Sequence, residues 1–175
     1  MKIPFQGSML VRGAVGKGKT TLLRAMIREG FEGEVSVISS KDGVHEFRRA
    51  VDAGLVHHIT PFHQARKEIE RVYDIFCARK DRSLSEGETT TQKAIFVLID
   101  EANGILFPVD WFPAKAKMPE DTITHLKELI TLGPTVGIQV VVAGYVFDEK
   151  FARLFGVTVD LDRHVIQYRT IAAIA

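Results

Sequence analysis

The stretch Gly13-Ala14-Val15-Gly16-Lys17-Gly18-Lys19-Thr20 constrains this chain more than any other. It fits G-x-x-x-x-G-K-[ST], and its flanks are those the pattern needs. Ser8 to Val11 is short and apolar, as a buried strand is. Thr21 to Ile27 then places Leu22, Leu23, Met26 and Ile27 on one helical face. Strand, glycine loop and helix together make a cradle for phosphate. Glycines let the backbone close around the anion, successive N–H groups point inward, and the helix start adds partial positive charge. The residues expected to touch nucleotide are therefore Gly13, Ala14, Val15, Gly16, Lys17, Gly18, Lys19, Thr20 and Thr21. Lys19 has the reach for the β- and γ-phosphates, and Thr20 has a hydroxyl for magnesium.

The rest of the chain alternates strands with helices. Further strands are expected at 35–39, 55–59, 93–99, 137–143, 157–161 and 165–168. Helices are expected to about Glu29 and at 44–53, 62–80, 122–132 and 148–155. The helix after Pro61 is the clearest, with Ala65, Ile69, Val72, Tyr73 and Phe76 at helical spacing. Its other face carries Arg66, Lys67, Glu68, Glu70, Arg71 and Asp74 and reads as solvated. Residues 81–92 read as a flexible loop and 104–120 as an irregular insertion rich in proline. Such alternation predicts one α/β domain over 1–175, with a mostly parallel sheet and helices on both faces. Ligands in these sheets sit beyond the C-terminal strand ends, where both the loop and Asp100 fall.

The apolar run Lys93 to Ile99 ends in Asp100-Glu101. A continuous apolar strand implies burial on both faces. Carboxylates at its end, paired with a phosphate loop, read as the second half of an NTPase site. Asp100 would hold magnesium opposite Thr20, and Glu101 would orient and deprotonate a water. That glutamate argues for hydrolysis over transfer to a small-molecule acceptor.

Composition excludes some classes. With 46% hydrophobic and 26% charged residues the chain is an ordinary globular one. A net charge of +1 gives no global affinity for nucleic acid, so any such contact must be local. One cysteine, Cys77, rules out an internal disulfide and reads as packing in a helix. No apolar run approaches the roughly 20 residues of a membrane span. The expected location is cytoplasmic, or the host cytoplasm or virion if the protein is viral. His57-His58 reads as one core and one surface histidine, because neighbours in a strand face opposite ways.

Four segments resemble the FtsK/HerA superfamily of ring-forming, DNA-pumping ATPases. They are the phosphate loop; Ser40-Lys41-Asp42 after the second strand; Ile99-Asp100-Glu101-Ala102; and the run from His125 to Gly144. The resemblance covers roughly residues 8–170. It implies a RecA-like core with strand 137–143 between the phosphate-loop strand and the Asp100 strand. It also implies ATP and Mg2+ as ligands, a hexameric homo-oligomeric ring and double-stranded DNA in the pore. An arginine donated by a neighbouring subunit is implied, with Arg153 or Arg163 as candidates. Two departures stand out: Pro134 replaces an arginine of the family motif, and Tyr145 replaces the polar sensor that closes the strand. Lys115 and Lys117, beside Trp111 and Phe112, and the pair Arg79 and Lys80 are the candidate DNA contacts.

Short superfamily members include viral genome-packaging ATPases, which makes packaging, with a capsid or portal partner, the leading expectation. A conjugative or segregation motor and a Zot-like phage-assembly ATPase are alternatives. A small nucleotide kinase and a nucleotide-binding scaffold without turnover stand as different classes.

Overall fold

The computed structural model describes residues 7–40, 43–86, 92–106 and 118–169. In chain order its elements are β1 (Met9–Arg12), α1 (Lys19–Glu29), β2 (Gly33–Ser39), α2 (Gly43–Asp52), β3 (His58–Pro61), α3 (Ala65–Glu86), β4 (Ala94–Ile99), α4 (Asn103–Leu106), α5 (Glu120–Thr131), β5 (Ile138–Gly144), α6 (Glu149–Ala152), β6 (Val157–Asp160) and β7 (Val165–Tyr168).

Seven strands form one sheet in the order β3-β2-β4-β5-β1-β6-β7. Every pairing is parallel except that of β6 with β7, which is antiparallel. Strand β5 lies between β1 and β4, as the resemblance implied. Side chains alternate across the sheet and fill two cores. Leu10, Ile38, Ile95, Val97, Ile99, Val140 and Val142 pack with Ile69, Val72, Phe76, Leu126 and Leu129 on one face. Met9, Val11, Val35, Val37, Phe96, Leu98 and Val141 pack with Leu23, Ile27 and Phe47 on the other. Five consecutive residues of β4, Ile95 to Ile99, are buried, as its unbroken apolar run requires.

Several boundaries depart from expectation for local reasons. The third strand is His58–Pro61 rather than 55–59, because Leu55 and Val56 turn back to hydrogen-bond the Ala50 carbonyl. Consequently His57 and His58 are both exposed, and Val56 is the core residue of that stretch. The helix expected at 62–80 opens with a 3-10 turn at Phe62–Gln64 and continues as α3 to Glu86. Six residues assigned to the flexible loop, 81–86, are thus helical. Asn103–Leu106 is a helical turn inside the region read as irregular, while 107–117 lies outside the described residues. The helix expected at 148–155 is the single turn Glu149–Ala152, capped by the Asp148 carboxylate on the Phe151 N–H at 2.8 Å. Cys77 is half-buried and packs against the core, as expected. Among the described residues no helix is long and apolar enough to cross a membrane.

One charge on α3 is misplaced by helical periodicity alone. Glu68 is 8% exposed rather than solvated. Its carboxylate accepts the Ser36 hydroxyl at 2.5 Å and two Arg71 nitrogens at 3.1 and 2.8 Å. Burial alone would raise the Glu68 carboxyl, but Arg71 and Ser36 outweigh it and hold it below the ordinary value.

Candidate nucleotide site

The chain leaves β1 at Arg12 and enters α1 at Lys19, so residues 13–18 must reverse direction within a few steps. Gly16 and Gly18 do this at φ +79° and +86°, angles that a side chain resists. Gly13 is anchored by its N–H on the Gly144 carbonyl at 3.2 Å, which ties the loop to the end of β5. Val15 stands 86% exposed at the loop tip.

Lys19 folds back over the loop. Its ammonium donates to the carbonyls of Gly13 at 2.6 Å and Ala14 at 2.8 Å. Burial lowers its proton affinity below the ordinary lysine range, while Asp100, Asp162 and Glu101 act in the opposite sense. The charges of carboxylates from two distant segments therefore act on one ammonium.

The two predicted halves converge. The Thr20 hydroxyl donates to Asp100 Oδ2 at 2.8 Å. Asp100 is 1% exposed, and burial pushes its carboxyl above the usual aspartate range. The Thr20 hydroxyl opposes that rise, the Glu101 charge adds to it, and the Glu101 amide and Lys19 also oppose it. Glu101 itself is exposed and sits at φ +54°, left-handed and uncommon for a residue with a Cβ. Its N–H donates to Asp100 Oδ1 at 3.1 Å, and its carbonyl accepts the Gly104 N–H at 3.0 Å. The Ala102 N–H then donates to the Ala143 carbonyl at 2.8 Å, keeping this turn against β5.

Asn103, unremarked in the sequence, joins these parts. It is 3% exposed, accepts the Tyr145 N–H at 2.7 Å and donates its amide to the Val146 carbonyl. Tyr145 thus follows β5 directly, and its buried hydroxyl has no hydrogen-bond partner among the described residues. Arg163 lies on the β6–β7 turn, its side chain 74% exposed and 3.8 Å from Asp160. Arg153 pairs with Glu149 at 2.9 Å on the exposed surface of α6.

The candidate DNA contacts are less convergent. Arg79 donates to the Val136 and Lys93 carbonyls at 2.9 Å each. Those residues precede β5 and β4, so Arg79 pins the sheet end opposite the phosphate loop. Lys80 is exposed, its ammonium 5.9 Å from the Phe76 ring centre. Lys115, Lys117, Trp111 and Phe112, like Lys41 and Asp42, lie outside the described residues. Asp162 and Arg12 carry no local sequence signal, and only the fold brings them beside the loop.

No protein-family model and no curated protein matches the chain. Solved structures do. The pCW3 conjugation coupling protein TcpA, a monomer form with ATPγS, is 18% identical with a TM-score of 0.66, covering 89% of this chain and 48% of that one. EccC ATPases 2 and 3 of Thermomonospora curvata, in complex with a signal sequence peptide, give 15% and 0.64, covering 87% and 30%. EssC ATPases 2 and 3 from Geobacillus thermodenitrificans give 16% and 0.62, covering 89% and 32%. The present chain spans less than half the length of each. At such identities the likeness is one of fold: the seven-stranded α/β sheet here is the P-loop ATPase fold of those proteins.

Proposed function

We propose that this chain is the ATP-hydrolysing motor domain of an FtsK/HerA-type DNA translocase that works as an oligomeric ring. The single observation carrying the reading is the 2.8 Å contact between Thr20 and Asp100, with Lys19 beside it. The donor set suits a hard cation: one hydroxyl and one carboxylate oxygen, set close enough to share one metal. Magnesium, when bound there, supplies charge neutralisation for the phosphate oxygens. The residues of the chain do the remaining work. The loop amides and the Lys19 ammonium hold the β- and γ-phosphates. Asp100, kept in place by Thr20, stays aligned at the mouth. Glu101, projecting from a turn fixed at both its N–H and its carbonyl, orients the attacking water and accepts its proton. The Tyr145 hydroxyl, buried and unsatisfied, is suited to answer a phosphate oxygen or that water. Arg153 or Arg163 would come from a neighbouring subunit.

A conjugative coupling role is supported by the likeness to TcpA. None of the three proteins named above is described as a packaging motor, so genome packaging rests on the sequence resemblance alone. A protein cargo is the second reading. It is favoured by the likeness to EccC, whose structure holds a signal sequence peptide. The test is ATPase activity of the purified chain with and without duplex DNA. Stimulation of many-fold is the expected result. A rate indifferent to DNA yet raised by peptide would replace the DNA reading. Glu101→Gln is expected to bind ATP and retain it uncleaved, with turnover reduced at least a hundredfold. Normal turnover in that variant would move the base elsewhere.

A further inference from the structure

The turn between β6 and β7 makes a contact that the mechanism above does not use. Ala14, second residue of the phosphate loop, donates its N–H to both Asp162 carboxylate oxygens, at 3.2 and 2.9 Å. Asp162 is itself held. Asp160 Oδ1 accepts the N–H groups of Asp162 and Arg163, each at 3.1 Å. The other Asp160 oxygen takes Arg12 Nε at 3.0 Å and Nη2 at 2.9 Å, and Asp160 is 5% exposed. The Leu161 N–H donates to the Arg12 carbonyl at 2.9 Å. Arg12 and Asp160 are register partners. The last residue of β1, which delivers the loop, is therefore clamped to the last residue of β6, which delivers the turn.

Burial holds β6 in the sheet but does not account for the second strand of this hairpin. All four residues of β7 are exposed, including Val165, Ile166 and Tyr168. Ordering such a strand costs backbone entropy that little buried surface offsets. What the hairpin does achieve is a fixed position for its turn. The approach is close: a Cβ on Gly13 would lie 3.0 Å from the Leu161 Cβ. Gly13 is thus constrained by the turn as well as by any phosphate.

We infer that the β6–β7 hairpin braces the phosphate loop and that Asp162, through Ala14, is a positioning residue for nucleotide binding. The inference rests on the nucleotide reading of the loop. A segment with glycines at 16 and 18 is soft, and fixing its second residue removes freedom that binding would otherwise have to quench. The carboxylate also places a negative charge near an anionic ligand, which acts against affinity. The two effects have opposite signs, so substitution separates them. Asparagine keeps an acceptor for the Ala14 N–H without the charge, and alanine keeps neither.

Calorimetric titration of the full chain with ATPγS and magnesium tests this, using wild type, Asp162→Ala, Asp162→Asn and Lys19→Ala. Asp162→Ala is expected to bind about 5- to 10-fold more weakly, the scale of one lost charge-assisted hydrogen bond. Asp162→Asn is expected within about twofold of wild type. Melting without nucleotide should be the same for both variants and wild type, since Asp162 is exposed. The brace is overturned if Asp162→Ala binds as well as wild type or better. It is equally overturned if Asp162→Asn binds as weakly as Asp162→Ala, or if Asp162→Ala melts lower without nucleotide. Lys19→Ala keeps two failures apart. Wild-type affinity in that variant sinks the nucleotide reading itself, whereas its loss beside an unaffected Asp162→Ala sinks only the brace.

Discussion

Gly18 shows how one residue type can be required without any crowding. A Cβ built there meets nothing nearer than the Thr21 Cβ at 4.0 Å, yet φ is +86°. The constraint is conformational, and a left-handed residue bearing a side chain costs about 1–2 kcal/mol. Gly18→Ala is therefore expected to weaken ATPγS binding about 5- to 30-fold, read by titration. The melting temperature should fall only slightly, because the loop can relax when empty. Glu101 accepts a similar strain with its Cβ in place, at φ +54°. Asp100 and Gly104 hold its backbone there, which fits a residue whose side-chain direction matters more than its comfort. At this scale Gly18, Lys19, Thr20, Asp100 and Glu101 were legible from the chain, since short-range spacing defines them. Asn103 and Asp162 were not, since each acts on a residue about 40 or more positions away, and no local pattern encodes such a partner.

Elements succeed or fail on what one face meets. The apolar stripe of α3 was read correctly, but its polar face was taken as uniformly wet. Glu68 instead turns inward to Ser36 on β2, and Arg71 also reaches Glu34 at 2.7 Å. Helical spacing reveals which residues share a face, not that a hydroxyl waits under one edge of it. The join has a pH signature. The folded carboxyl titrates below its ordinary 4.5, so the unfolded chain binds more protons in that window. The contribution of Glu68 is complete above pH 4.5 and is lost as pH falls through the depressed folded value. Melting temperature should drop between pH 5 and 3, and Glu68→Gln should flatten part of that drop. At neutral pH, Glu68→Ala should cost about 1–3 kcal/mol by chemical denaturation, leaving Ser36 without its buried partner. No acid-limb difference between wild type and Glu68→Gln would show that the join carries no net electrostatic stability.

Across the whole molecule, strand order gathers the chemistry at one end of the sheet. β1 lies between β5 and β6, so the phosphate loop sits beside Gly144 on one side and the Asp162 turn on the other. β4 follows β5 and brings Asp100 alongside. Near this mouth the Lys19 ammonium is the cation hydrogen-bonded to the loop carbonyls of Gly13 and Ala14. Arg153 is paired on α6, and Arg163 projects outward from its turn. A second positive group from another copy would complete the site, as in arginine-finger enzymes, where such a group is worth roughly 10³–10⁵ in rate. ATPase rate per chain is thus expected to rise with protein concentration and level off as assembly completes. A rate constant per chain from nanomolar to micromolar protein would exclude a shared site.

What the chain determined alone is whatever depends on near neighbours. That includes the glycine loop between strand and helix, the doubly buried β4 with acids at its end, and the alternation that forces a parallel sheet. Tertiary structure decided what depends on juxtaposition. It set the register that clamps Arg12 to Asp160, the descent of Glu68 onto Ser36, and the exposure of both His57 and His58. Spacing fixes geometry only within an element, whereas contacts between elements are chosen by packing the entire core at once.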